Sequence, residues 1–450
     1  MSRIQFPYRR ESTRRQHSSP DNGDFVTGSS HNYSMESKQT AQDRPPAGSG
    51  AATGPALLEA LAGRRPARTP VWFMRQAGRS LPEYRALRAR AGVPMLEACL
   101  DPALAAEVTL QPVRRHGVDA AVFFSDIMVP LRLAGVGVRI EEGVGPVLDT
   151  PVRSGREVSE LVARRFGDGS GAEGVEAIGE AVRRVVIELG SPQAPGVREG
   201  LSERARAGLE HSAGAAGWTP VLAFGGAPFT LAAYLVEGRP SRDHLAARTL
   251  MHADPAAWDR LMTWCAHLTG DFIATQVEAG ASAVQLFDSW AGSLSPADYR
   301  ARVAPYSALA IERARRAVSP TTGRPAPLIH FGTGTARILA PMHDAGARAV
   351  GVDERTDLAE AIEALADSEG GPCPVQGNID PALLGAGAAP LERAVETCLA
   401  AGRAAPAHVV NLGHGVPPGA DPAVLTGVVA RVHGSTAWAR TAAEPWEPDA

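Results

Sequence analysis

Eight short apolar runs, most followed by a longer stretch with helical spacing, constrain this 450-residue chain more than any other feature. The runs are TPVWFM (69–74), AAVFFSD (120–126), VLAFGGA (221–227), ASAVQLFD (281–288), PLIHFGT (327–333), ARAVGVD (347–353), CPVQGNID (373–380) and AHVVNLGH (407–414). Near-continuous apolar runs suit parallel strands, because crossover helices bury both faces of a parallel sheet. Eight such runs are the number that closes a (β/α)8 barrel. The stretches 255–280 and 295–318 read as covering helices, each opening on a cap or turn residue near a first-turn Pro. LRLAGVGVRIEEGVGPVL (131–148) is the exception. Its alternation and repeated Gly predict a hairpin inserted after the second strand. The expected fold is α/β, a single (β/α)8 TIM barrel with a disordered N-terminal tail.

The boundaries follow from composition. Residues 1–54 are polar and lack hydrophobic periodicity, the mark of a disordered tail. The barrel is expected over 55–438, with 191–218 as an inserted surface loop and 439–450 as a frayed C-terminal tail. The basic start lacks the apolar segment of a secretory signal. No run is long enough to span a bilayer. A net charge of -4 argues against a bulk electrostatic binder of nucleic acid or membrane.

Two residue types narrow the chemistry. The 4 cysteines, Cys99, Cys265, Cys373 and Cys398, are widely spaced and form no CxxC pair. That spacing disfavours a disulfide framework or a thiolate zinc site and fits the reducing cytoplasm. The sole lysine, Lys38, lies in the polar tail. The barrel therefore has no amine side chain for Schiff-base or pyridoxal phosphate chemistry.

Polar residues stand at the ends of almost every run: Arg75, Asp126, Asp288 with Ser289, Thr333, Asp353, Asp380 and His414. The C-terminal ends of barrel strands carry the active site. Helix capping is the competing role for the Asp and Ser residues. PVWFMRQAGRSLPEYRALR (70–88) adds Arg79, Arg85 and Arg88 beside Arg75. Guanidinium groups grip carboxylates in planar, bidentate fashion, so such a cluster suits a polyanionic small ligand. The plainer reading is a surface ion-pair cluster with Glu83. Asp126 follows a mostly apolar run, and a carboxylate in a dry setting needs donors or a cation. Tyr234 follows the glycine pair 225–226, and His414 lies between two glycines. The Gly/Thr loop HFGTGT (330–335) could cradle a phosphate, but alone it says little.

PVWFMRQAGR and FGGAPFTLAAYLVEG closely resemble the two signatures of the uroporphyrinogen decarboxylase family. FSDIMVP, LFDSWAG, GNIDP and NLGHGVPP resemble the family at the other strand ends, in order, over about 55–435. The resemblance implies a homodimeric TIM barrel that removes four acetate carboxyls from uroporphyrinogen III to give coproporphyrinogen III, with no metal or organic cofactor. By motif position it implies that Arg75, Gln76, Ala77, Gly78, Arg79, Asp126, Tyr234, Ser289 and His414 line the substrate cleft. Arg88 is a further carboxylate partner, and Asp126 and Arg75 carry the catalysis. No nucleic acid or membrane partner is expected.

Three rivals remain at this point. Related zinc methyltransferases place cysteine ligands in an HxC motif and near the eighth strand. Here those sites read His330-Phe331-Gly332 and His414, so thiolate ligation is not available there. A magnesium site on Asp288 and Asp353 lacks an evident third oxygen ligand. A non-catalytic tetrapyrrole binder is the third.

Overall fold

The computed structural model describes residues 54–169, 171–190 and 218–435. The expectations of a disordered tail, an inserted loop and a frayed C-terminus fall almost wholly outside the described residues. Seven parallel strands form one curled sheet: β1 (Ala121–Val122), β4 (Val221–Gly226), β5 (Ala283–Asp288), β6 (Leu328–Gly332), β7 (Ala349–Gly351), β8 (Val375–Gln376) and β9 (His408–Val409). A separate antiparallel pair, β2 (Val138–Glu141) and β3 (Gly145–Leu148), is the predicted hairpin, confined to 138–148 of the expected 131–148.

The ring closes through the first apolar run. Val71 bridges Val410 in parallel. The Val410 N–H donates to Pro70 O at 2.8 Å, and the Asp119 N–H donates to Val71 O at 2.8 Å. This eighth position is not a regular strand, and the reason is local. Pro70 has no N–H to give a ladder. The Val71 N–H is taken by the Asp119 carboxylate at 2.8 Å rather than by a backbone carbonyl.

The long helix Pro255–Glu278 forms as expected, with Asp254 accepting the Ala257 N–H at its start. The single helix expected over 295–318 is instead two, Pro296–Arg302 and Ala304–Arg315. Val303 departs from helical geometry between them, where Pro305 cannot donate to a continuing helix. Two shorter helices, Pro228–Glu237 and Leu245–Ala253, intervene between β4 and the long helix. The hairpin docks on the first of these: the Leu148 N–H donates to Gly238 O and the Val152 N–H to Leu235 O. This block stands over the β4–β5 side of the barrel.

Val71, Phe73, Val350, Val375, Val409 and Leu412 are fully buried in the apolar cluster of the barrel strands and their covering helices. Each such aliphatic side chain contributes about 1.5–3 kcal/mol. All four cysteines are buried and free, and burial pushes their thiols up, so they behave as small apolar groups. No helix among the described residues is long and apolar enough to cross a membrane.

Two histidines couple the fold to pH. Burial pushes His408 down to about 4, although its Nε2 donates to Gly377 O at 2.7 Å. Burial, aided by Arg115, pushes His116 down to about 4 as well. Both rings are neutral in the fold. As pH falls from about 6.5, the unfolded chain takes up protons that the folded chain refuses, so stability is lost as pH falls toward 4. A melting series should show Tm declining across that window. A flat profile would mean that the folded rings take up protons as readily as the unfolded ones.

Candidate active site

The loop after the first run is built around a backbone that turns sharply. Arg75 has φ +59°, a left-handed conformation that non-glycine residues rarely adopt and that is found most often at functional sites. Gly78 allows the return: a Cβ there would come within 2.9 Å of Arg75 O. Gln76 fixes the turn from beneath. It is fully buried, accepts the Phe73 N–H at 3.0 Å and donates to Ala120 O at 2.8 Å. The structure thus places Gln76 under the cleft as a brace, with its side-chain amide already engaged. Ala77 is half-buried against the helix-side core.

The turn presents Arg75 toward three other expected site residues. The Asp126 carboxyl is held above its usual range, mainly by burial. The Met128 N–H, donated to Oδ1 at 2.8 Å, and the positive charge of Arg75 both oppose that rise. Burial and the nearby Asp126 charge push the Tyr234 hydroxyl up to about 12, and Arg75 again acts the other way. Burial and Arg75 lower His414, with Glu354 and Asp353 opposing. Arg75 lies across Gly415, where a Cβ would meet its Cδ at 2.5 Å. Arg75, Asp126, Tyr234 and His414 therefore share one electrostatic neighbourhood.

The other arginines border it. A cleft of about 510 Å³ is lined by Arg79, Tyr84, Arg85, Arg88 and Pro418. Arg85 donates to Arg79 O and Ser80 O, which shapes the loop, and Arg88 donates to Val93 O. The plainer reading of this cluster does not hold, because Glu83 pairs with Arg115 at 2.6 and 2.7 Å. Among the described residues none of Arg75, Arg79, Arg85 and Arg88 forms an ion pair with a carboxylate.

The remaining loops are tied to one another. Thr230 Oγ1 donates to Asp288 Oδ1 at 3.0 Å, linking β4 to β5. Thr333 Oγ1 donates to Ser289 O at 2.8 Å, linking β6 to β5. The Gly334 N–H donates to Asp353 Oδ2 at 2.6 Å, so the Gly/Thr loop is engaged by a carboxylate and not arranged as a phosphate cradle. Asn378 Nδ2 donates to Asp353 O at 2.9 Å, and the Gly413 N–H donates to Ile379 O at 2.8 Å. The Val416 N–H donates to Met74 O, and the Met74 N–H donates to Asn411 Oδ1, which returns the belt to the first run. Asp380 caps the short turn Pro381–Gly385 through the Ala382 N–H. Asp288 is fully buried behind the mouth and Asp353 serves the Gly334 loop, so the two carboxylates have separate local partners.

The family model described as uroporphyrinogen decarboxylase matches residues 53–195 and 209–435. A uroporphyrinogen decarboxylase from Arthrobacter sp. is 54% identical over 377 residues, 84% of this chain and 96% of that protein. One from Leifsonia xyli subsp. xyli is 52% identical over 387 residues, 84% of this chain and 94% of its own length. The chain belongs to the uroporphyrinogen decarboxylase family. A solved methyltransferase from Methanosarcina mazei covers 84% of this chain and 97% of its own, with a TM-score of 0.56 at 15% identity. At that identity the likeness is one of fold. In this family member the residue that would begin a zinc-binding HxC motif, His330, is fully buried. Its Nε2 stands 3.6 Å from Asp288 Oδ2 and its Nδ1 lies against Met342 O.

Sequence reasoning passed over Trp290 and Thr230. The Trp290 ring lies 3.8 Å from the Tyr234 ring at 30°, with His244 against it at 4.4 Å. An aromatic residue directly after Ser289, at a strand end otherwise marked by polar residues, was the available signal.

Proposed function

We propose that this chain decarboxylates uroporphyrinogen III to coproporphyrinogen III, releasing four CO2, without a cofactor. Four arginines beside one strand end, none of them in an ion pair with a carboxylate among the described residues, carry this reading. Uncompensated guanidinium groups at a cleft suit a ligand that brings its own carboxylates. The Asp126 carboxylate beside Arg75 suits a macrocycle whose pyrrole N–H groups point inward.

The chemistry follows from that placement. A proton added to a pyrrole carbon makes the ring cationic. The bond from the acetate methylene to its carboxylate then breaks, its electron pair flows into the ring, and CO2 leaves. Protonation of the resulting exocyclic methylene gives a methyl group, and loss of the proton first added to the ring carbon restores the neutral pyrrole, so each step takes up one proton net. Asp126 stabilises the cation through the low-dielectric surroundings it shares with the substrate. Arg75 holds the departing acetate, while Arg79 and Arg88 take peripheral carboxylates. Tyr234, Ser289 and His414 hydrogen-bond to others, Tyr234 in its protonated form. We place the enzyme in the cytoplasm as a homodimer.

An anaerobic assay tests the reading. Chelator-dialysed protein is given uroporphyrinogen III, and CO2 and the porphyrinogen products are followed. Stepwise loss of four carboxyls without added metal is the expected result. Folded protein that yields no product under these conditions, but turns over when a metal ion is restored, would overturn the cofactor-free reading.

A further inference from the structure

Tyr234 and Ser289 come from different strand ends, and one hydroxyl joins the elements that carry them. Thr230 Oγ1 donates to Asp288 Oδ1 at 3.0 Å and accepts the Trp290 backbone N–H at 3.4 Å. Ser289 lies between those two residues in the chain. Thr230 also sits one helical turn before Tyr234, on the same face of Pro228–Glu237. The Tyr234 ring in turn lies 3.8 Å from the Trp290 ring. The Thr230 contacts therefore close a small circuit: helix, hydroxyl, β5 loop, indole, and back to the helix at Tyr234.

The circuit is dry and closely held. Thr230 and Asp288 are fully buried. The other Asp288 oxygen has His330 Nε2 at 3.6 Å, beyond good hydrogen-bond range, so Thr230 is the close donor to this carboxylate. Backing the indole, His244 stands 4.4 Å away, with its own neighbour Phe229 in edge contact. Trp290 thus has an aromatic ring on either side. Ser293 holds the Trp290 carbonyl at 2.8 Å and Thr333 the Ser289 carbonyl at 2.8 Å, while Thr230 is the contact that ties this backbone to the helix carrying Tyr234.

We propose that Thr230 is a positioning residue for substrate recognition: its hydroxyl sets the spacing between the Tyr234 and Ser289 hydroxyls, so that both meet carboxylates of one tetrapyrrole. The assignment rests on the reading of Tyr234 and Ser289 as carboxylate donors. A tetrapyrrole holds its carboxylates at fixed distances, so two donors serve it together only when their separation is fixed as well. The separation also matters at every round, because the substrate must be rebound with a different acetate at Arg75. Removing the hydroxyl frees the β5 loop to shift against the helix, and the effect falls on binding and on progress through the four steps.

Thr230→Val keeps the shape and removes both hydrogen bonds, whereas Thr230→Ser keeps the hydroxyl. With uroporphyrinogen III, Thr230→Val should raise KM and lower kcat/KM by about 10-fold or more, since misplacement of about 1 Å is expensive. Partly decarboxylated intermediates should accumulate. Thr230→Ser should stay close to the parent in both respects. The decisive measurement is a mutant cycle with Tyr234→Phe and Ser289→Ala. If Thr230 acts through those hydroxyls, Thr230→Val adds little in the background lacking both. Effects that multiply would reduce Thr230 to a purely structural part and overturn the proposal, as would unchanged KM and product pattern in a folded Thr230→Val enzyme. Near-parental kinetics for Tyr234→Phe and Ser289→Ala themselves would instead overturn the carboxylate-donor reading beneath it, and the proposal would fall for that separate reason.

Discussion

Asp126→Asn should lower kcat by about 10²–10³-fold, the magnitude typical of losing one well-placed electrostatic group. The substitution keeps the shape of the side chain and its acceptor oxygen toward the Met128 N–H, while removing the charge. Its effect on stability should run the other way. Burial raises the Asp126 pKa in the fold, so the charged form is disfavoured there relative to the unfolded chain. That penalty is absent at low pH, appears as pH rises through the unfolded carboxylate range, and is full above the folded pKa. At neutral pH the Asn variant should therefore melt at or above the parent temperature. Lost turnover with a maintained or raised Tm marks a group held against folding for the sake of chemistry. Near-parental kcat would remove Asp126 from the centre of the mechanism.

Arg75→Ala should cost about 10²-fold or more in kcat/KM, in line with losing a group that orients the reacting acetate. The loss should appear in kcat as well as KM, because Arg75 acts on Asp126, Tyr234 and His414 together. A change in KM alone would leave it as an anchor. Comparison with Arg75→Gly isolates the backbone. At φ +59° an L-residue is strained by about 1–2 kcal/mol, and glycine is not. Both variants should be comparably impaired, while the Gly variant is the more stable of the two by about that amount. Equal melting temperatures would show that the loop relaxes once the guanidinium is gone.

Much of the fold was legible because buried parallel strands cannot be disguised: all eight apolar runs fall on the barrel ring. The departures have local causes that a run of apolar letters does not display. The first run lacks regular pairing because Pro70 has no N–H and Asp119 takes the Val71 N–H from 48 residues away. The second long helix breaks where Pro305 cannot donate, a signal that was present in the sequence but outweighed by the surrounding periodicity. In the site, Arg75, Asp126, Tyr234 and His414 were readable from their places at or after strand ends. The brace role of Gln76 was not, because its partners at Phe73 and Ala120 are backbone groups without any sequence mark. Thr230 escaped for a similar reason: it looks like an ordinary residue in the first turn of a helix until the fold brings Asp288 beside it.

The belt of hydrogen bonds around the barrel mouth bears on how such an enzyme can change. Barrel loops are often regarded as interchangeable modules, each free to vary on an inert scaffold. Here the β5 loop is held by Thr230 and Thr333, the β6 loop by Asp353, and the β7 loop by Asn378, so each loop is part of the scaffold of the next. A library that randomises one loop alone would mostly return broken neighbours. New specificities in this scaffold should arise through paired substitutions across adjacent strand ends, and lineages that diverge in one loop should carry a matching change in the loop beside it.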